Sequence, residues 1–307
     1  MSETVALVTG ATGHQGGGTA RELLKNGIKV HILVRNSSSE SALELQRQGA
    51  HLFQGDFDNT SSIKAAIDGA TAVFLNVSPI LSEPEREVIH AKNIIDAARA
   101  SGTVTHLVYP SVTMTDKHES FPNWGPGYPS AWYWENKARI ETMVRESGVA
   151  YWTILRPAFL MNNYHRPTAD FMFPDLVARG VFRTAYKPST AMTVLDPDDV
   201  GKFAGAAIMD PLAFNRHEID LGVECLTISE IAKEMSRVSG KEIGLDFYSE
   251  EEAREIVVKN PRVRAQLWAN EVGYQVDFKQ LAKYSITLTR FGDYLDKHRD
   301  EVLRTFS

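Results

Sequence analysis

Three glycines carry the first chemistry that can be read from this chain. Val8-Thr9-Gly10-Ala11-Thr12-Gly13-His14-Gln15-Gly16 follows the apolar run Val5-Ala6-Leu7-Val8 and precedes a stretch of helical character. A strand that delivers the chain to a tight turn at Gly10, with Gly13 admitting an anion close to backbone amides and Gly16 packing the next helix on its sheet, is a diphosphate cradle. Thr12, His14 and Gln15 complete that loop. No cationic side chain is required, because the first turn of a helix offers unpaired N–H groups and the positive end of its dipole. A second pair of reactive groups lies far downstream. Tyr133 and Lys137 stand four residues apart, which places a phenol and an ammonium on one helical face. Of the ten tyrosines only Tyr133 has a lysine at that spacing. Ordinary helix surfaces also show such pairs, so its place in the fold decides its meaning.

The elements that would position these groups alternate regularly. Strands are expected at 4–9, 29–34, 51–54, 72–77, 105–109 and 151–155, with helices at 16–26, 41–48, 60–67, 85–100 and 134–146. Gly27, Gly49, Gly69, Gly102 and Gly148 follow these helices, as left-handed stops would. The pattern predicts an α/β fold, a doubly wound parallel sheet of the Rossmann type, over residues 1–156. After Pro157 the rhythm changes. Thr227-Ile228-Ser229-Glu230 and Ser249-Glu250-Glu251-Glu252 read as capping boxes, 218–221 and 243–247 as short strands, and 290–306 as a final amphipathic helix. Residues 157–307 are therefore expected to form a smaller α+β substrate lobe, a division that allows segments to return to the first sheet. No repeat or low-complexity linker separates the halves.

The end of the second strand selects the dinucleotide. An acidic residue there would accept from the ribose hydroxyls of NAD, but the strand runs Val34-Arg35-Asn36-Ser37-Ser38. The Arg35 fork, with Asn36 beside it, suits a 2′-phosphate, so NADPH/NADP is expected over NADH. Asp56-Phe57 follows the third strand where adenine contacts fall, and an Asp in such a loop also caps turns.

The G-x-x-G-x-x-G spacing resembles the loop of extended and atypical short-chain dehydrogenase/reductases. V-T-G-A-T-G-H-Q-G-G, V-R-N, Q-G-D-F-D, E-N-K-A-R-I-E-T-M-V-R-E-S-G-V-A-Y-W-T-I-L-R-P, F-L-M-N-N, V-L-D-P-D-D-V-G and L-T-R-F-G-D-Y-L-D-K-H together resemble the NmrA-like branch, over nearly the whole chain. That family includes nitrogen-metabolite regulators, an NADPH-sensing protein, quinone reductases and, more distantly, plant ether reductases. The resemblance implies that Tyr133 is the general acid or base toward a substrate oxygen, that Lys137 binds the nicotinamide ribose and lowers the phenol's pKa, and that Ser111 orients the substrate oxygen. It also implies that Val77, Ser78, Pro157, Ala158 and Phe159 border the nicotinamide half. Many members keep only the lysine, so the presence of Tyr133 favours catalysis; flanked by Trp132 and Trp134, it could instead belong to an aromatic wall.

Phe121-Pro122-Asn123-Trp124-Gly125-Pro126-Gly127-Tyr128-Pro129 reads as a loop. Its aromatics, with Trp132, Phe159 and Tyr164, and with Asn162 from F-L-M-N-N, would line a flat pocket for a quinone, aromatic ketone or enone. Filling a core is the commoner use of any one of these rings. His165 and the scattered carboxylates lack metal-ligand spacing, so no metal is expected.

The chain has 307 residues, 43 % hydrophobic and 23 % charged, enough to bury a substantial core. A net charge of −6 speaks against nucleic acid or an anionic membrane as partner. One cysteine, Cys225, excludes an internal disulfide. No apolar run reaches the roughly 20 residues that span a bilayer, and the start lacks the build of a signal peptide. A cytoplasmic setting is expected, with the nucleus open, and a homodimer or regulatory protein partner is compatible. Three functions follow, in order of preference: an NADPH-dependent reductase of an aromatic or quinone-like small molecule, an NADP(H) sensor without turnover, and a nucleotide-sugar epimerase or dehydratase, disfavoured by the aromatic lining.

Overall fold

A computed structural model describes residues 3–307. Strands and helices alternate through the first half: β1 (Val5–Val8), α1 (His14–Lys25), β2 (Lys29–Val34), α2 (Glu40–Arg47), β3 (His51–Gln54), α3 (Thr60–Ile67), β4 (Ala72–Phe74), α4 (Glu85–Ser101), β5 (His106–Pro110), α5 (Ala131–Arg145) and β6 (Tyr151–Pro157). Thereafter come β7 (Phe159–Leu160), α6 (Thr168–Met172), α7 (Pro174–Arg179), β8 (Val181–Thr184), β9 (Ala191–Leu195), α8 (Pro197–Met209), β10 (His217–Leu221) and β11 (Glu224–Thr227). The chain ends with α9 (Ile228–Ser239), β12 (Gly244–Phe247), α10 (Glu250–Ile256), α11 (Pro261–Glu271), α12 (Phe278–Leu281), α13 (Phe291–Lys297) and α14 (Arg299–Thr305).

Seven strands form the central sheet in the order β10-β6-β5-β4-β1-β2-β3. All register-matched pairs from β3 to β6 are parallel. Both faces of such a sheet are covered, which is why β1 and β5 are apolar along nearly their whole length rather than alternating. Chain order reverses between β1 and β4, the crevice where ligands of doubly wound folds bind. Leu7, Val73, Leu107 and Ile154 from the strands pack with Ile63 of α3 and Ile94 of α4 in one core.

Among the described residues, one compact unit comprises 3–118, 130–157 and 197–220; a second comprises 119–129, 158–196 and 221–307. The chain passes between the units after Pro157, the end of β6, and two further segments, 119–129 and 197–220, change unit on either side of it. The strand expected at 218–221 in the second lobe is β10 (His217–Leu221) at the edge of the main sheet. Helix α8 was not legible as a helix; it lies against α1, where a Cβ on Gly201 would fall 2.5 Å from the Gly18 carbonyl carbon. That contact gives V-L-D-P-D-D-V-G its structural reason. Strand β4 stops at Phe74, short of the expected Val77, because the Thr9 hydroxyl accepts from Asn76 N at 2.7 Å and turns the chain out of the sheet.

The second unit holds a three-stranded sheet, β11-β9-β7, and a parallel pair, β12-β8. Its core gathers Phe159, Tyr164, Phe173, Phe182, Ile231 and Phe291. Both anticipated capping boxes are present, Thr227 with Glu230 and Ser249 with Glu252. The single terminal helix expected over 290–306 is two, broken at His298, whose ring lies 4.4 Å from that of Tyr294.

Candidate functional site

The glycine loop has the shape its spacing implies. Gly10 adopts φ +63°, and Gly13, the N-cap of α1, makes no side-chain capping hydrogen bond. A Cβ on Gly16 would lie 2.3 Å from Gly10 O, so only glycine allows α1 to begin there. Thr12, Gly13 and His14 are exposed, and the first turn carries no carboxylate to compete for an anion. Gln15 Oε1 is buried without a hydrogen-bond partner among the described residues, an acceptor left open beside the cradle. Asn76 packs on the same turn: its Nδ2 lies 2.8 Å from where a Gly10 Cβ would stand. Sequence reading missed this residue, which marks the reversal point between β1 and β4.

Arg35 is exposed at the end of β2 and makes no ion pair among the described residues. Asn36 uses its Oδ1 to accept from Ser38 N at 3.0 Å, which leaves its amide hydrogens to donate. Asp56 Oδ1 accepts from the backbone of Asp58 and Asn59, closing the turn after β3, while Phe57 meets His90 edge to face. Val77 is buried and Ser78 exposed in the segment after β4. These donors and the first turn of α1, which has no side-chain cap, fit a phosphorylated dinucleotide.

Helix α5 begins at Ala131, three residues earlier than expected, which places Tyr133 in its first turn. Lys137 Nζ lies 5.9 Å from the Tyr133 ring centre and 5.8 Å from that of Tyr109 on β5. The fold therefore brings the phenol and ammonium together as their spacing requires. Ser111, just past β5, is 5 % exposed, and its Oγ lies 3.4 Å from Thr115 Oγ1. Tyr133 is half-buried, with Trp132 and Trp134 edge-on to it at 6.0 and 5.3 Å. Burial first, then the Glu87 and Glu141 carboxylates, hold the Tyr109 phenol well above its ordinary value.

Sequence reasoning also missed Glu87 on α4, whose Oε1 accepts from Lys137 Nζ at 2.7 Å. A signal existed. Glu87 stands in phase with Ala91, Ile94 and Ala98 on the buried face of α4, where an unpaired carboxylate would be costly.

Pro157 belongs to the first unit. Trp124, Ala158, Phe159, Asn162 and Tyr164 belong to the second. Trp124 is half-exposed and stands 4.7 Å from the Tyr128 ring, so the Pro/Gly-rich segment is the aromatic loop expected. Tyr164 has no exposed surface and stacks on Phe173 at 5.4 Å, which makes it a core residue in place of a pocket wall. Asn162 is 4 % exposed, donates to Thr168 Oγ1, and keeps a buried Oδ1 without a partner among the described residues. His165 is buried, with Nε2 2.6 Å from Tyr294 Oη. No group of three or more metal-ligating side chains occurs among the described residues, and no helix is long and apolar enough to cross a membrane.

Residues 1–295 match the NmrA-like family. The chain belongs to that family. Among curated NmrA-like relatives, the oxidoreductase notA of Aspergillus sp. (strain MF297-2) is 32 % identical over 73 % of this chain and 69 % of its own. The nitrogen metabolite repression protein nmrA of Emericella nidulans is 28 % identical over 89 % of this chain and 75 % of its own. The crystal structure of NADPH-dependent quinone oxidoreductase QOR2 from Escherichia coli, complexed with NADPH, superposes with a TM-score of 0.75 at 22 % identity, covering 96 % of this chain and 99 % of that one. The NmrA-like fold is thus shared by proteins named as oxidoreductases and by a repression protein. Side chains at the site, not the fold, must separate those uses.

Proposed function

We propose that this protein is an NADPH-dependent reductase of a carbonyl, quinone or enone group on an aromatic small molecule. The observation that carries this reading is the pairing of Tyr133 and Lys137 on α5, with the ammonium 5.9 Å from the phenol ring. When bound, the reduced dinucleotide supplies a hydride. The amides at the mouth of α1 hold its diphosphate, and Arg35 with Asn36 receives the 2′-phosphate. Tyr133 holds the proton that the substrate oxygen takes up, Ser111 orients that oxygen, and Lys137 keeps the ribose in place. The half-buried ring of Trp132 beside Tyr133 favours a flat apolar substrate. The names of the relative notA and of the structural neighbour QOR2, both oxidoreductases, support redox chemistry, and a setting in the cytoplasm is consistent with it.

A sensor that binds NADP(H) without turnover is the second reading, favoured by the match to a repression protein over 89 % of this chain. Absorbance of NADPH followed against quinones, aldehydes and aryl ketones separates the two. Turnover abolished by Tyr133→Phe supports the reductase; tight NADPH binding with no turnover on the whole panel supports the sensor.

A further inference from the structure

The lysine beside Tyr133 has a buried counter-ion. Glu87 is 0 % exposed and Lys137 5 %, and their charged atoms lie 2.7 Å apart. Glu87 Oε2 is buried with no hydrogen-bond partner among the described residues, as is Tyr109 Oη. The pair is fixed in place from outside. Asn136, 1 % exposed and next to the lysine, donates from Nδ2 to Pro84 O at 2.7 Å, tying the start of α4 to α5. Facing the pair are Tyr109 from β5 and Tyr133 from α5, with the Glu141 carboxylate acting on Tyr109 from the same helix. The neighbouring charges on α4 turn outward, Glu85 to Arg139 and Arg86 to Asp58.

A lone ammonium near a phenol favours the phenolate, and an adjacent carboxylate opposes that effect. We propose that Glu87 is a positioning and charge-setting residue of this site: it fixes Lys137 and offsets the ammonium's field at Tyr133, so the phenol keeps its proton and acts as an acid. The idea rests on the reading of Tyr133 as proton donor. In that step the Tyr133 O–H bond breaks and a new O–H bond forms on the substrate oxygen, whose carbon has gained hydride from the reduced dinucleotide. The phenolate is then reprotonated by water, which its half-exposed position admits.

The test requires no substrate. Phenolate absorbance is titrated in the full-length protein and in E87Q, each against its Tyr133→Phe counterpart, so that the difference reports Tyr133 alone. With the carboxylate neutralised, Tyr133 is expected to ionise about one pH unit lower. E87D, which retains the charge, should restore the parent behaviour. An unchanged titration in E87Q, with or without loss of thermal stability, would mean that Glu87 serves packing alone and overturns the proposal. If E87Q does not fold, E87Q/K137M leaves no buried charge unpaired. Tyr133 should then ionise close to the parent pH, and a rise of about one unit or more would show an uncompensated lysine in the parent and sink the idea. Failure of turnover assays would remove the reductase reading without touching this result.

Discussion

A side-chain carbon on Gly16 would lie 2.3 Å from the carbonyl oxygen of Gly10, whereas one on Gly13 would meet that oxygen at 3.4 Å. The first separation is impossible without moving α1; the second is ordinary contact. The two glycines therefore do different work, and alanine at each distinguishes them. Gly16→Ala should cost several kcal/mol through backbone displacement and remove dinucleotide binding with it. Gly13→Ala, at a position with φ −96°, should change stability by under about 1 kcal/mol while weakening NADPH binding, because its methyl group crowds the anion. Thermal melts and calorimetry on both variants check this. NADPH affinity untouched in Gly13→Ala would place the diphosphate elsewhere.

Arg35 has no carboxylate partner among the described residues, so removing it should leave the fold alone. Arg35→Ala is expected to weaken NADPH by roughly 10- to 100-fold, the range of a lost charge-assisted contact. NADH, which lacks the 2′-phosphate, should bind as before. Equal loss for both coenzymes would argue that Arg35 acts through general electrostatics.

Tyr133 and Lys137 should separate by what they hold. Tyr133→Phe is expected to lower turnover by about 10²- to 10⁴-fold with NADPH affinity kept, the usual effect of removing a general acid. Lys137→Ala should reduce turnover as well and also weaken the coenzyme, and it strands Glu87 in the core, with a cost of roughly 3–5 kcal/mol. Steady-state rates, coenzyme titration and urea melts read these three quantities. A Tyr133→Phe protein that turns over normally would end the case for the phenol as proton donor.

The alternation that builds the central sheet is visible in the chain because each strand is a short apolar run and each helix ends at a glycine; Gly27, Gly49, Gly69, Gly102 and Gly148 all have positive φ. The cradle is visible for the same reason, since every step of it is backbone. What stayed hidden depends on tertiary partners. Helix α8 is held by Gly201 on Gly18, a contact between residues 183 positions apart that leaves no local periodicity. Glu87 resembles an ordinary helix-opening carboxylate until α5 is laid beside it. The break in the terminal helix at His298 carries no proline or glycine to mark it in the chain; the His298 ring there stacks on His165 and lies tilted against Tyr294. An aromatic ring such as Tyr164 can line a pocket or fill a core, and its packing against Phe173 with no exposed surface decides for the core.

Asp220 at the end of β10 predicts how stability varies with pH. Burial pushes its carboxyl from the ordinary 3.8 up to about 6, aided by nearby Asp116 and Glu141 and resisted by Arg156. Its Oδ1 is buried with no hydrogen-bond partner among the described residues, which agrees with a preference for the neutral acid. A folded state that holds its proton more tightly than the unfolded chain is most favoured below 3.8, loses that advantage as pH rises to about 6, and carries the full cost of an ionised buried carboxylate above it. A shift of about two units corresponds to at most about 3 kcal/mol, and partial solvent access reduces it to about 1–2 kcal/mol. Asp220→Asn keeps the shape and cannot ionise. It should therefore be more stable than the parent by about 1–2 kcal/mol near pH 8, with the difference fading toward about pH 4. Urea unfolding at both pH values measures it, and an Asn variant with no advantage at the higher pH would show that Arg156 fully compensates the buried charge.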